Sequence, residues 1–181
     1  MTQVMVVVAS RHGATRGIAD RIGETLRAEG LDASVFDVDE APSPQWADAV
    51  VIGGAAYMGK WLDEVTTYLR RYEELLSTRP TWLFASGPVG EDVVDKKGRD
   101  LLAAPRFLTN AARHVNARGT KVFFGRWDPS DPPMSFAERM LRFVPVPSEA
   151  MPVGDFRDWP AIEAWAREIA RALVRTPVAS R

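Results

Sequence analysis

Polar residues that could bind an anion follow the first apolar run of the chain. Residues 4–9 are all apolar, and the chain then turns polar, with hydroxyls at Ser10 and Thr15 and a glycine at position 13. A helical pattern begins after this loop, and the free N–H groups and dipole of a helix N-terminus favour negative charge. The two hydroxyls and the N–H groups around Gly13 could therefore donate to one phosphate.

Basic residues accompany this first loop. Arg11, His12 and Arg16 lie near the start of the helix, where a cation alone is unfavourable by about 0.3–1 kcal/mol. A bound phosphate would make the same charges favourable. The loop by itself leaves an alternative open, in which Ser10 or Thr15 only caps the helix and the arginines are solvated.

Two further loops follow apolar runs. The run 49–53 leads into small and aromatic residues as far as Trp61, and the run 81–86 leads into Gly87-Pro88-Val89-Gly90. The carboxyl ends of parallel strands meet at one edge of a sheet, and ligands bind there. We therefore expect the three loops to lie together.

The elements between these loops predict an α/β fold. Short valine-rich runs without alternation are typical of strands buried on both faces. Strands are predicted at residues 4–9, 33–37, 49–53, 81–86 and 121–125, and helices at 15–29, 61–76, 107–115 and 158–173. The alternation of the two indicates a doubly wound, five-stranded parallel sheet.

The length of 181 residues predicts one domain, which we place at residues 1–175, with residues 176–181 as a frayed tail. Residues 126–157 form an insertion between the last strand and the last helix, longer than a minimal fold needs. We expect it to be an ordered flap with a short basic helix near Arg139 and Arg142. With Arg126, these arginines could bind substrate carboxylates or acidic lipid headgroups, although a solvated basic face is the alternative.

Composition excludes several classes of chemistry. The chain has no cysteine, so thiolate catalysis and disulfides are excluded, and with two histidines no metal site is expected. Net charge is −1, but residues 20–74 hold twelve acids against five bases and residues 96–142 hold ten bases against four acids. No apolar stretch approaches the ~20 residues that span a bilayer, and no signal peptide or nucleic-acid motif is evident. A cytoplasmic protein is expected, with the insertion as a candidate for contact with the inner face of the membrane.

The absence of several known motifs reduces the classes of ligand that the chain could bind. A phospho-receiver domain needs an aspartate at the end of the third strand, where this chain has Gly53 and Gly54. The phosphate-loop pattern of NTPases and the GxGxxG pattern of dinucleotide folds are both absent after the first strand. The remaining interpretation is a mononucleotide with a flat ring system, its phosphate on the first loop and its ring between the second and third loops.

The polar run Ser10-Arg11-His12-Gly13-Ala14-Thr15 resembles the phosphate loop of flavodoxins. Together with the run from Gly53 to Gly59, it is more specifically similar to the flavodoxin-like protoporphyrinogen IX dehydrogenases, also called protoporphyrinogen oxidases. Two further features agree: an insertion with a short basic helix, and a last helix introduced by Asp158 and Trp159. The resemblance covers nearly the whole chain and implies the strand order 2-1-3-4-5.

The resemblance also implies a function and a site. The expected cofactor is FMN, and the expected reaction removes hydrogens from a tetrapyrrole precursor in heme biosynthesis and passes electrons to a quinone. The phosphate would be held by Ser10, Arg11, His12, Gly13, Ala14 and Thr15. The isoalloxazine would be flanked by Ala55, Ala56, Tyr57, Met58, Gly59, Ser86, Gly87, Pro88, Val89 and Gly90. No side chain is expected to be catalytic.

Several alternatives stay open at this point. Tyr57 or Trp61 could stack on the ring, but each could equally be a core aromatic. His12 could donate to the phosphate or be exposed. The partners could be a porphyrinogen and a quinone, but a non-enzymatic electron carrier is a rival, as is a protein that binds another flavin or a deazaflavin. A carrier would be expected to have an acidic face and no long insertion.

Overall fold

The computed structural model describes residues 1–57, 59–128, 130 and 152–175 of the chain. The predictions for Met58, for the basic helix of the insertion with Arg139 and Arg142, and for the tail 176–181 lie outside the described residues. None of the described helices has both the length and the apolar character needed to cross a membrane.

The described elements alternate between strands and helices along most of the chain. In order they are β1 (Gln3–Ala9), α1 (Ala14–Ala28), β2 (Asp32–Asp37), β3 (Ala49–Tyr57), β4 (Lys60–Trp61), α2 (Asp63–Arg71), α3 (Glu73–Ser77), β5 (Thr81–Ser86), α4 (Arg106–His114), β6 (Gly119–Phe123), β7 (Arg126–Trp127), β8 (Gly154–Asp155) and α5 (Trp159–Arg175).

Five parallel strands form the sheet, in the order β2-β1-β3-β5-β6, and the short β4 pairs antiparallel with β3. Numbered without β4, the five parallel strands have the order 2-1-3-4-5. The predicted fold class and strand order are therefore confirmed. A separate two-stranded antiparallel ribbon, β7 with β8, lies at the two ends of the predicted insertion.

The strand β1 is buried on both faces, which explains its unbroken apolar sequence. Val4, Val6 and Val8 belong to the core cluster that α1 and α5 cover. The alternate residues Met5 and Val7 belong to a second cluster, which α2, α3 and α4 cover. Successive side chains of a strand point to opposite faces, so the side chains on each face of β1 need an apolar layer to pack against. Helices on both faces of the sheet provide those layers.

The second loop differs from its prediction. Strand β3 continues to Tyr57, and Ala56 and Tyr57 pair with Trp61 and Lys60 in a tight hairpin. The turn of that hairpin contains Gly59 at φ 74°, a left-handed conformation that glycine adopts without strain. The small residues after position 53 therefore extend a strand that was expected to have ended.

The helix after this hairpin also differs. Trp61 was predicted to be its first residue, but α2 begins at Asp63, and Trp61 lies in β4. The expected single helix to residue 76 is divided at Tyr72 into α2 and α3. The helix predicted at 107–115 is α4, which begins one residue earlier at Arg106, directly after Pro105. Proline lacks an N–H and favours an extended preceding residue, which fits a helix that starts directly after it.

Replacing Gly53 with alanine is expected to destabilise the protein. A Cβ at this position would lie 2.0 Å from the ring of Phe84, which is fully buried and packs against Phe123 and Trp165. Overpacking of this kind costs about 1–3 kcal/mol. Gly125→Ala is the matched control, because its Cβ would meet only ordinary contacts at 3.8 Å. Chemical denaturation should show a loss for Gly53→Ala alone, and equal stability of the two variants would contradict this packing.

Candidate functional site

The first loop delivers free N–H groups to the carboxyl edge of the sheet. Gly13 is the residue before α1, with φ 76° and ψ −12°, and open space surrounds the position of a Cβ there. Its conformation, rather than crowding, favours glycine. The first bond of the helix runs from the Gly17 N–H to the Gly13 carbonyl, 2.9 Å. The N–H groups of residues 14–16 have no carbonyl one turn earlier in the helix, so they face the loop.

The hydroxyl of Thr15 is not a helix cap. The capping position is occupied by Gly13, and Thr15 lies inside the first turn, 2% exposed. Its Oγ1 is 2.7 Å from Oγ of Ser86, which is the last residue of β5 and 3% exposed. Either hydroxyl can be the donor. If Ser86 donates, the Thr15 proton is available to an anion at the helix N-terminus.

Arg16 is paired with two carboxylates, one in its own helix and one at the end of β2. Its Nε donates to Asp20, 2.9 Å, and its Nη1 donates to Asp37 at the end of β2. The hydrogen bond to Asp20 is the main cause of a raised Arg16 pKa, and burial opposes it. The two carboxylates neutralise this arginine, so Arg16 adds little net positive charge at the first loop.

Arg11 joins the first loop to the second. Its guanidinium carbon lies 5.7 Å from the centre of the Tyr57 ring, within the range of a cation–π interaction. Tyr57 is 38% exposed at the end of β3, so it is not a core aromatic. The Tyr57 ring is therefore partly exposed at this edge and contacts the Arg11 guanidinium.

Trp61 is a core residue. It is buried, its Nε1 donates to the Gly54 carbonyl at 3.0 Å, and its ring packs against Phe107 with centroids 5.8 Å apart. The hypothesis that Trp61 stacks on a ligand ring is therefore wrong. A buried indole commonly satisfies its N–H inside the protein, and the hairpin between β3 and β4 brings that N–H to a backbone carbonyl.

The third loop approaches the second closely. A Cβ on Gly87 would lie 2.9 Å from the Ala56 carbonyl oxygen, so only glycine permits this approach. One residue earlier, Ser86 is paired with Ala55 in the sheet. The Pro88 carbonyl accepts from the Gly125 N–H at 2.8 Å, which ties the loop to the chain after β6. Val89 and Gly90 are partly buried.

The structure thus brings the predicted site residues to one edge of the sheet. The first loop touches the end of β5 through Thr15 and the end of β3 through Arg11. β3 and β5 are adjacent parallel strands, so their carboxyl ends lie side by side. The individual roles of these residues toward a phosphate or a ring stay predictions, and Met58 lies outside the described residues.

One residue near this edge was missed by the sequence analysis. Arg157 lies between β8 and α5, is 14% exposed, and donates to the carbonyl of Ala14 in the first turn of α1. The sequence signal for this residue was the pair Asp155 and Arg157, which comes just before Asp158 and Trp159. The pattern alone does not reveal a partner 143 residues away in the chain.

These features define a doubly wound α/β protein with the N-terminus of α1 at the carboxyl edge of its sheet. A family model described as the flavodoxin domain matches residues 5–140. The chain belongs to the flavodoxin domain family, and membership of this family indicates a flavin-binding protein.

Relatives and solved structures agree with this family. Protoporphyrinogen IX dehydrogenase (quinone) of Escherichia coli K12 is 24% identical over 111 residues, which are 60% of this chain and 61% of that protein. The match therefore spans less than two thirds of that relative. A single-residue mutant of Pseudomonas aeruginosa flavodoxin has a TM-score of 0.60 at 15% identity, over 96% of this chain and 99% of that chain. Rubredoxin oxygen:oxidoreductase of Desulfovibrio gigas has a TM-score of 0.62 at 16% identity, over 99% of this chain and 38% of that chain.

The pair of buried hydroxyls should show energetic coupling. Thr15→Val removes one hydroxyl and leaves Ser86 buried without this partner, at a cost of about 1–3 kcal/mol. Ser86→Ala should cost a similar amount, because it leaves the Thr15 hydroxyl buried without this partner. In the double variant the second change should cost less, with a coupling of about 1 kcal/mol in the free energy of unfolding. Strictly additive losses would contradict the hydrogen bond.

The Asp155–Arg157 pair should make stability depend on pH in acid. The hydrogen bond from the Arg157 side chain, with help from the Arg157 backbone N–H, holds the pKa of Asp155 below its ordinary value, while burial opposes this. The pair therefore stabilises the fold above about pH 4, the range in which an unfolded aspartate is ionised, and loses that effect as pH falls through the lower folded pKa.

Asp155→Asn tests this pH dependence. The Asp155 side chain is 41% exposed, so solvent screening limits the effect to less than about 1 kcal/mol. The difference in unfolding free energy between the natural protein and Asp155→Asn should be constant from about pH 5 to 7 and shrink below about pH 4. A difference that grows in acid would contradict the assignment.

Proposed function

We propose that the protein is an FMN-dependent oxidoreductase that removes hydrogens from protoporphyrinogen or a similar porphyrinogen and passes the electrons to a quinone or another redox partner. The observation that carries the proposal is the meeting of the three loops at the carboxyl edge of the sheet, joined by the Thr15–Ser86 and Arg11–Tyr57 contacts. We further propose that the protein works in the cytoplasm, at the inner face of the membrane, with the insertion 126–157 as the contacting part.

The residues present fit the phosphate of FMN. A left-handed glycine precedes the first turn of α1, and the N–H groups of residues 14–16 lie at the helix N-terminus, where an anion is favoured. Thr15 adds a hydroxyl whose proton is available when Ser86 donates to it. Arg11 and Arg16 also lie beside this loop, Arg11 over the Tyr57 ring and Arg16 in ion pairs with Asp20 and Asp37.

The residues present also fit a flat ring. The exposed Tyr57 offers an aromatic face at the end of β3, and a ring can stack on such a face. Gly87 has no Cβ, so the backbone of the third loop can come close to the second loop. In our proposal these two loops hold the isoalloxazine and exclude water from its faces.

FMN would supply the redox chemistry itself, because its ring accepts hydrogens and releases electrons. The described residues of the protein would bind the cofactor and orient it. The substrate class is supported by the similarity to the E. coli dehydrogenase and by the position of the insertion, which begins and ends at the β7–β8 ribbon beside the third loop. The main alternative is an electron carrier, which the flavodoxin structures with nearly full coverage favour.

A spectrum and an assay test the proposal together. The purified protein, mixed with FMN and freed of unbound flavin, should keep a flavin absorption spectrum and should oxidise protoporphyrinogen when a quinone is present. Turnover supports the enzyme. A flavin spectrum without turnover would favour the carrier, and a protein that cannot retain FMN would overturn both.

Thr15→Ala should weaken FMN binding in the same assay. The lost hydroxyl removes one charge-assisted bond to the phosphate, worth about 1–2 kcal/mol of binding free energy, or about a tenfold rise in Kd. Thr25→Ala is the matched control, because Thr25 lies in the same helix, is nearly as buried, and bonds only the Arg21 carbonyl among its described contacts. Equal FMN affinity of the two variants would show that Thr15 does not bind the phosphate.

A further inference from the structure

We propose that Arg157 is a positioning residue for phosphate binding: it fixes the first peptide of α1, so that the Thr15 N–H points at the phosphate. This inference rests on the proposed FMN site. It adds a residue from the far end of the chain, which neither the resemblance nor the comparisons assign to the site.

The guanidinium of Arg157 is held in one orientation. Its Nε donates to Oδ1 of Asp155 at 2.7 Å, and its Nη2 donates to the other carboxylate oxygen. Its carbon lies 4.4 Å from the centre of the Trp159 ring, within cation–π range. A guanidinium is planar, so a bidentate carboxylate and a stacked ring leave little rotational freedom. The remaining Nη1 group is thereby aimed at α1.

Nη1 of Arg157 donates to the carbonyl oxygen of Ala14 at 3.2 Å. This carbonyl and the N–H of Thr15 belong to the same planar peptide group. Fixing the carbonyl therefore fixes the direction of the N–H, which faces the N-terminal end of the helix. A charged donor on the carbonyl also polarises the peptide and strengthens its N–H as a donor. Because Asp155 neutralises Arg157, the arginine acts through this peptide rather than as a direct phosphate ligand.

The glycine at position 17 is a second observation that concerns the Arg157 guanidinium, which lies against this residue. A Cβ at position 17 would lie 2.7 Å from Nη1 of Arg157. Glycine is a poor helix former, and Gly17 is not in the left-handed region, so its backbone does not require glycine. The close guanidinium accounts for it: a side chain here would displace Nη1 from the Ala14 carbonyl.

The same segment also braces the third loop. Asp155 pairs with Arg126 in the β7–β8 ribbon, the Phe156 N–H donates to the Gly125 carbonyl at 3.1 Å, and the Gly125 N–H donates to Pro88. Arg157 thus connects the loop proposed for the phosphate to the chain that supports the loop proposed for the ring.

The test compares Arg157→Met with Arg21→Met. Arg21 is the matched control, because it also lies over Trp159, at 5.0 Å, but its Nη1 donates to Glu163 and not to the first turn. Dissociation constants are measured for FMN and for riboflavin, which lacks the phosphate. Amide chemical shifts of Thr15 are recorded for each flavin-free protein. Arg157→Met should raise the Kd of FMN about tenfold, change that of riboflavin less than about twofold, and shift the Thr15 amide. Arg21→Met should leave all three unchanged.

Arg157→Lys keeps the charge but lacks the fork that bonds Asp155 and Ala14 together, so it should behave like Arg157→Met and serves if that variant does not fold. Equal losses for FMN and riboflavin would overturn the proposal by showing a general structural role, and so would unchanged FMN binding. If the natural protein binds neither flavin, the proposed function fails and this proposal fails with it. If it binds FMN and the Arg157 variants bind it equally well, this proposal alone fails.

Discussion

Burial of β1 on both faces is the constraint on which the site depends. A strand between two apolar layers has a fixed register and cannot turn one face toward water, so its carboxyl end must lie at the edge of the sheet. Val6 pairs with Val35 on one side and with Val51 on the other, which aligns the ends of three strands. The register of the strands therefore brings together the polar residues that follow them, and no contact between the loops is needed for this.

The loops are joined by a few specific polar contacts. The hydroxyls of Thr15 and Ser86 meet inside the protein, where one donates a hydrogen bond to the other. Outside them, three arginines have three different partners: an aromatic ring for Arg11, two carboxylates for Arg16, and a carboxylate with a backbone carbonyl for Arg157. The arginines near the first loop therefore differ in their described surroundings. The loop motif shows where the positive charges are, but not which groups each guanidinium contacts.

The sequence predicted the sheet well because its signals are local. Valine-rich runs, a glycine after α1 and the Asp158 cap of α5 each depend on neighbours in the chain, and the Asp158 side chain does accept from the Ala161 N–H. The β3–β4 hairpin was missed because small residues such as Gly54 and Ala55 have weak strand propensity, and pairing with β1 and β5 holds them extended. Trp61 and Arg157 were misjudged or missed because their roles depend on residues distant in sequence. The candidate site was therefore predictable as a set of loops, but not in the contacts that fix them.

The central claim is that one edge of this molecule receives FMN, phosphate at the first turn of α1 and ring between the other two loops. A titration of isotope-labelled protein with FMN, followed through its backbone amide resonances, tests this most directly. The account predicts that the largest shifts fall on residues 13–16, on Tyr57 and on Gly87, Val89 and Gly90, while the far ends of the strands are unaffected. Shifts that concentrate elsewhere on the protein, or none at saturating FMN, would contradict it.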